Sequence, residues 1–180
     1  MKKVSMTTSD ICMIALFTAL TAVMAQISIP MPLGVPMTMQ TFAIALAGVV
    51  LGARKGFMSA LIYVLLGFVG APVFAKFGGG PASVLGPTGG FILSFPIMAL
   101  LAGYGAERGG WTAVTLGLSS GVVVNFACGM MMFKFQTGST MWASFIACVL
   151  PFIPTGIIKA AAAGLIGVKL RERRLVPASN

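Results

Sequence analysis

The chain is 180 residues long, 58% hydrophobic and only 8% charged, where a soluble domain carries roughly a quarter charged residues. This excludes a water-soluble globular domain. The net charge of +9 does not indicate a nucleic-acid binder, because the basic residues form no continuous face and lie mostly in short segments between apolar runs. At about 20 apolar residues per membrane-spanning helix, residues 1–180 have room for roughly five to seven spans in one bundle and none for a second domain.

The first apolar run, about 11–29, follows Thr7, Thr8, Ser9 and Asp10, which supply capping side chains and an acid for the first turn. It stops at Pro30 and Pro32, where proline removes backbone donors. Lys2 and Lys3 before this run, with Val23, Met24 and Ala25 late in it, resemble a cleavable leader, but the later spans make an anchoring first helix the simpler reading. A second helix is predicted over about 37–53, with Arg54 and Lys55 at the membrane surface, and a third over about 56–70. Residues 71–87, with Pro72, Gly78, Gly79, Gly80, Pro81, Gly86 and Pro87, read as a long irregular loop, and loops of that length are functional or disordered. A fourth helix over about 88–106 opens at Thr88, and Gly109 and Gly110 turn the chain into a fifth over about 111–133, followed by a link over 134–140. Pro151 and Pro154 divide the remainder into a short segment, 141–150, and a sixth span over about 151–170, whose helix from Thr155 covers about 24 Å.

Charge tests the count, since Lys and Arg accumulate in cytoplasmic loops. Lys2, Lys3, Arg54, Lys55, Arg108, Lys169, Arg171, Arg173 and Arg174 fall on one side and Lys76 and Lys134 on the other, so nine of twelve basic residues agree with alternating spans. Trp111 and Trp142 fit opposite interfacial belts. The fold class is an all-α integral membrane protein with six transmembrane helices in one bundle and both termini cytoplasmic.

Little in the chain supports catalysis. Cys12, Cys128 and Cys148 lie in apolar runs without metal-ligand spacing, the sequence has no histidine, and the three cysteines read as buried packing residues; no metal site or cofactor is expected. Gly117, Ser119 and Gly121 match the G-x-S-x-G pattern by accident, lacking a histidine base and a preceding strand. No phosphate-binding loop of the G-x-x-x-x-G-K-[ST] type occurs, so nucleotide is not bound by that device. Asp10, Glu107 and Glu172 all sit at predicted helix ends, which leaves the membrane interior without a carboxylate for proton coupling.

Small residues recur at helical spacing at Ala15 and Ala19, at Gly48, Gly52 and Gly56, at Gly117 and Gly121, and at Ala160 and Gly164, where two backbones can approach closely. Most such pairs pack inside a bundle; Ala15 and Ala19 are the best candidates for binding another protein. Lys159 stands within the sixth helix about 15 Å from the basic end, and a cation inside a membrane helix faces a cavity, an ion path or a ligand unless it snorkels to headgroups. Thr38, Gln40 and Thr41, Thr88, and Asn125 can complete a pocket for a neutral polar group, with Phe74, Phe77, Phe91 and Trp142 as apolar walls. The set suits a small amphiphilic monoanion.

The residues Val35, Pro36, Met37, Thr38, Met39, Gln40 and Thr41 leading into Leu46 through Gly52, then Gly70 through Phe74, then Gly86, Pro87, Thr88, Gly89, Gly90 and Phe91, with Pro151 through Pro154 and Lys159, resemble the BioY family of biotin-binding S components of energy-coupling factor transporters. The resemblance covers nearly the whole chain. It implies an S component in a prokaryotic plasma membrane, with a pocket that binds biotin from outside and no catalytic activity. It also implies that the Ala15/Ala19 face docks on a transmembrane coupling subunit served by two ATPases, and that ATP hydrolysis topples the small subunit. Lys159 would then pair with the ligand carboxylate, while the loop around Gly78, Gly79 and Gly80 and the residues near Thr38 and Gln40 would enclose the rings. One position departs from the pattern: members often carry an aspartate three residues before this lysine, and here the residue is Gly156. The competing readings are an S component for another vitamin, a membrane assembly subunit that binds no small molecule, and, last, a membrane enzyme.

Overall fold

The computed structural model describes residues 6–31 and 35–173; Lys2, Lys3, Pro32 and Arg174 lie outside them. The described chain folds into α1 (Thr8–Gln26), α2 (Gln40–Leu51), α3 (Ala53–Phe68), a five-residue α4 (Pro81–Leu85), α5 (Gly89–Arg108), α6 (Trp111–Thr137), α7 (Met141–Cys148) and α8 (Ile153–Glu172). Two short strands, β1 (Ser28–Ile29) and β2 (Met37–Thr38), pair antiparallel, with Ser28 opposite Thr38 and Ile29 opposite Met37. Among the described residues four stretches are long and apolar enough to cross a membrane: Thr8–Gln26, Gly89–Arg108, Trp111–Thr137 and Met141–Glu172. Leu16, Val23, Leu116, Val123, Ile157 and Ile158 stand more than half exposed, which suits contact with lipid and not with water. The protein is a mostly helical membrane protein.

Local chemistry sets the helix ends. At the start of α1, Thr7 Oγ1 accepts from the Asp10 N–H and the Asp10 carboxylate accepts from the Thr7 N–H, a reciprocal cap. Asp10 also pairs with Lys55 Nζ at 2.5 Å, tying α1 to α3. The helix stops at Gln26 and not at Ile29, because Ser28 and Ile29 are engaged in β1, and Ile29, before Pro30, is kept out of the α region. Likewise α2 begins at Gln40, three residues later than predicted, since Met37 and Thr38 are engaged in β2. It ends at Gly52, so the expected 37–53 span contains only a 12-residue helix, about 18 Å long. Glu107 at the end of α5 caps α3: its Oε1 accepts from the Ala53 N–H at 2.8 Å.

Every residue of α2 except Thr41 is buried, and α1, α3, α5 and α8 pack around it. Glycine permits the close crossings. A Cβ on Gly48 would stand 2.4 Å from the Ala99 carbonyl oxygen, and one on Gly103 would stand 2.3 Å from the Ala53 nitrogen, so α5 lies backbone to backbone on the α2–α3 corner. Gly117 meets Gly105 across the α5–α6 hairpin and Gly164 meets Leu118 between α8 and α6. Three of the four small-residue spacings therefore serve internal packing, while Ala15 and Ala19 stay exposed.

Three further expectations are corrected. Helix α6 runs to Thr137, four residues past the predicted 133, and Gly138 in the left-handed region ends it, so Lys134 lies in its last turn and the link shortens to 138–140. Residues 71–87 are not irregular throughout: Ala75–Phe77 forms a single 3-10 turn and Pro81–Leu85 forms α4 with proline at its first position. Of the cysteines, Cys148 is buried and Cys128 half-buried, but Cys12 is exposed on the outer face of α1.

Candidate functional site

The first turns of α2, the inner faces of α5, α6 and α8, and the segment at Phe74 and Ala75 enclose a cavity of about 210 Å³. Thr38, Gln40, Phe74, Thr88, Phe91, Asn125 and Lys159, drawn from five parts of the sequence, all line it. Its remaining wall is mostly apolar, with Phe95, Met98, Phe126 and Phe152 prominent, and Thr41, Ser83 and Thr155 add hydroxyls.

Lys159 is half-buried, and its Nζ donates to the Thr38 main-chain oxygen at 2.6 Å. Among the described residues the only ion pair is Lys55 with Asp10, so the Lys159 ammonium has no carboxylate beside it. It keeps donors free for an incoming anion. Gly156, one turn earlier on α8, also lines the cavity, and its missing side chain leaves that wall to Phe126, whose ring would lie 3.3 Å from an added Cβ.

A directed chain of hydrogen bonds fixes the polar end. The Thr38 hydroxyl donates to Gln40 Oε1 at 2.8 Å, Gln40 Nε2 donates to the Tyr63 hydroxyl at 2.5 Å, and Tyr63 donates to the Val73 carbonyl at 2.9 Å. Gln40 is thus held with its carbonyl toward Thr38 and its amide nitrogen toward Tyr63, and one N–H remains for a ligand. Asn125, almost fully buried, donates from Nδ2 to the Phe91 carbonyl at 2.9 Å and the Ser94 hydroxyl at 2.8 Å, which leaves it an acceptor. Thr41 and Thr88 line the cavity with hydroxyls that make no side-chain hydrogen bond among the described residues.

Phe74 and Phe91 are seated by glycines. The Phe74 ring occupies the place of a side chain at Gly67, 2.0 Å from an added Cβ, and packs edge-on against Tyr63 with centroids 5.5 Å apart. The Phe91 ring takes the same place at Gly129, 2.2 Å from an added Cβ. Four predicted residues stand elsewhere. Gly78 and Gly79 do not line the cavity: the Gly78 carbonyl accepts from the Phe74 N–H at 2.9 Å, and Gly79 packs on the Ala71 carbonyl, so both shape the loop that carries Phe74. Phe77 and Trp142 are 71% and 70% exposed and form no part of the wall. Ala15 and Ala19 line a separate apolar groove of about 730 Å³ between α1 and α3, with Thr18, Ile62, Tyr63 and Leu66.

Sequence reasoning missed Tyr63, which is fully buried and both accepts from Gln40 and donates to the Val73 carbonyl. A phenol in an otherwise apolar helix was the available signal, since a buried hydroxyl needs partners. It also missed Gly67 and Gly129, which show only as glycines interrupting apolar helices. No group of three His, Cys, Asp or Glu side chains that could hold a metal occurs among the described residues.

A lipid-embedded helical bundle with a small walled cavity, a free ammonium at one side and hydrogen-bonding amides at another defines a solute-binding membrane protein. Residues 1–175 match the model of the BioY family. A probable biotin transporter BioY from Pyrococcus horikoshii is 44% identical over 166 residues, covering 92% of this chain and 98% of that one. The biotin transporter BioY of Thermotoga maritima is 38% identical over 160 residues, covering 87% and 92%. Among solved structures, the S-component for biotin from an ECF-type ABC transporter shares the fold with a TM-score of 0.85 at 28% identity, covering 93% of this chain and 95% of that one. The chain belongs to the BioY family, whose members are named as transporters and not as enzymes.

Proposed function

We propose that this protein is the biotin-binding S component of an energy-coupling factor importer. It forms one membrane unit over residues 1–180 in the plasma membrane of a prokaryotic cell. In this reading α1, α2, α3, α5, α6 and α8 are the six transmembrane helices, both termini face the cytoplasm, and the cavity opens outward. Lys159 receives the ligand carboxylate, Thr38, Gln40, Thr88 and Asn125 meet the ureido group, and Phe74 and Phe91 pack on the apolar body, with Gly78 and Gly79 holding the loop behind Phe74. The exposed Ala15/Ala19 face docks on a coupling subunit driven by two ATPases.

The observation that carries the reading is the Lys159 ammonium turned into an apolar-walled cavity with no protein carboxylate beside it. A cation kept there without a bound anion is costly, so the site is built for a ligand that brings the negative charge. A subunit that only joined helices of a partner would have no use for such a cavity. Isothermal titration of the detergent-purified chain with biotin, without ATP, tests this: saturable one-to-one binding is expected. Heat with another vitamin and none with biotin would reassign the substrate; no binding of any vitamin would return the chain to the assembly-subunit reading.

A further inference from the structure

Gln26 is the last residue of α1 and lies outside the cavity wall, yet its side-chain amide reaches 51 residues along the chain. Its Oε1 accepts from the Phe77 N–H at 2.9 Å, and its Nε2 donates to the Phe74 carbonyl at 3.1 Å as well as to the Ala22 carbonyl of its own helix at 3.0 Å. One planar amide therefore grips both ends of the 74–77 turn. The same turn contains two consecutive non-glycine residues in the left-handed region, Lys76 at φ 56° and Phe77 at φ 56°. Side chains disfavour that conformation, and it persists only where surrounding contacts impose it. Lys76 and Phe77 are themselves exposed and bring no packing that would do so. The contacts that hold it are the Phe74–Gly78 bridge, the Gly78 N–H on the Ala75 carbonyl at 3.1 Å, the Phe74 ring seated at Gly67, and Gln26, which is the one that reaches Phe77 itself from another helix.

We infer that Gln26 is a positioning residue for the cavity, a latch that holds the strained 74–77 turn so that Phe74 and Ala75 stay in the wall. The direct consequence is kinetic: with the latch closed, that part of the wall cannot swing away and a ligand is retained. Helix α1 also carries Ala19 and Ala15, about 10 Å and about 16 Å back along its axis from Gln26, so the helix offered to a partner is the one that grips the wall. Displacing the end of α1 therefore loosens the cavity without touching Lys159. The inference rests on the proposed ligand reading only for its kinetic arm.

The test uses the full chain in detergent and combines Gln26→Leu with a strain-relieving pair, Lys76→Gly and Phe77→Gly, which suit positive φ. In ligand-free protein, hydrogen exchange of the Phe77 amide is expected to accelerate at least about tenfold in Gln26→Leu, as for loss of a net-stabilising hydrogen bond or two. Biotin dissociation is expected to accelerate by a similar factor, with the association rate changed less. In the double-glycine background the same Gln26→Leu change should raise the dissociation rate less than about threefold, because little strain is left for the latch to oppose. A merely structural role would give the same factor in both backgrounds and overturn the inference, as would an unchanged Phe77 exchange rate in the single variant. Absence of biotin binding by the parent protein would fail the ligand reading while leaving the exchange measurement intact as a test of the latch.

Discussion

Replacing Lys159 by methionine keeps an unbranched side chain, one atom shorter, and removes the charge. In the structure the ammonium is half-buried, donates to the Thr38 carbonyl at 2.6 Å and has no carboxylate neighbour. Its interaction with a ligand carboxylate is therefore stronger than an exposed surface pair, worth about 0–1 kcal/mol, and is of the order of a charge-assisted hydrogen bond, about 1.5–3 kcal/mol net. At about 1.4 kcal/mol per decade, the dissociation constant for biotin should rise roughly 10- to 150-fold. Titration calorimetry with biotin and with its primary amide, which lacks the negative charge, separates the ion pair from lost packing. The parent protein should prefer the acid by that factor, and Lys159→Met should bind acid and amide alike. Equal preference for the acid in both proteins would refute the pairing, and a loss of less than about threefold would refute the cavity electrostatics altogether.

Tyr63→Phe removes the acceptor that orients the Gln40 amide, so biotin affinity should fall about fivefold, of the order of one hydrogen bond, while Gln40→Leu in the Tyr63→Phe background adds less than it does alone; calorimetry on the four proteins reads the coupling. Ala19→Leu should abolish uptake in cells that supply a coupling subunit and ATPases yet leave biotin affinity within twofold, since the groove it fills lies apart from the cavity. Gly90→Leu drives a side chain into the Cys128 carbonyl, 2.2 Å from an added Cβ, and should cost about 1–3 kcal/mol or prevent folding, read as a lower melting temperature in detergent.

Much of the fold was legible because proline and glycine punctuate it. Pro30, four residues past the end of α1, bars its continuation, Gly109 and Gly110 with positive φ reverse α5 into α6, and Pro151 and Pro154 introduce α8. Where boundaries failed, tertiary contact outweighed local preference: Met37 and Thr38 look like the start of a helix but pair with Ser28 and Ile29, a choice invisible without knowing which strand is near. In the site, Lys159 was legible because a charge in an apolar helix is conspicuous, and Thr38 and Gln40 because they precede a run with almost no other polar atom. Phe77 and Trp142 misled, since an aromatic side chain near a pocket in sequence reads the same whether its helix turns it inward or toward lipid. Gln26 drew no attention because its function depends on a turn some 50 residues away.

The brevity of α2 has a consequence for where a solute can sit. A helix of about 18 Å is roughly 12 Å shorter than a hydrocarbon layer of about 30 Å. Elsewhere that deficit would expose backbone to lipid, but α2 is shielded by longer neighbours, and the space past its first turn holds the cavity instead. Thr38, Gln40 and Thr41 close one end of that cavity and the flanking helices form its sides. A cavity made by omission in this way needs no bulge in the outer surface of the bundle.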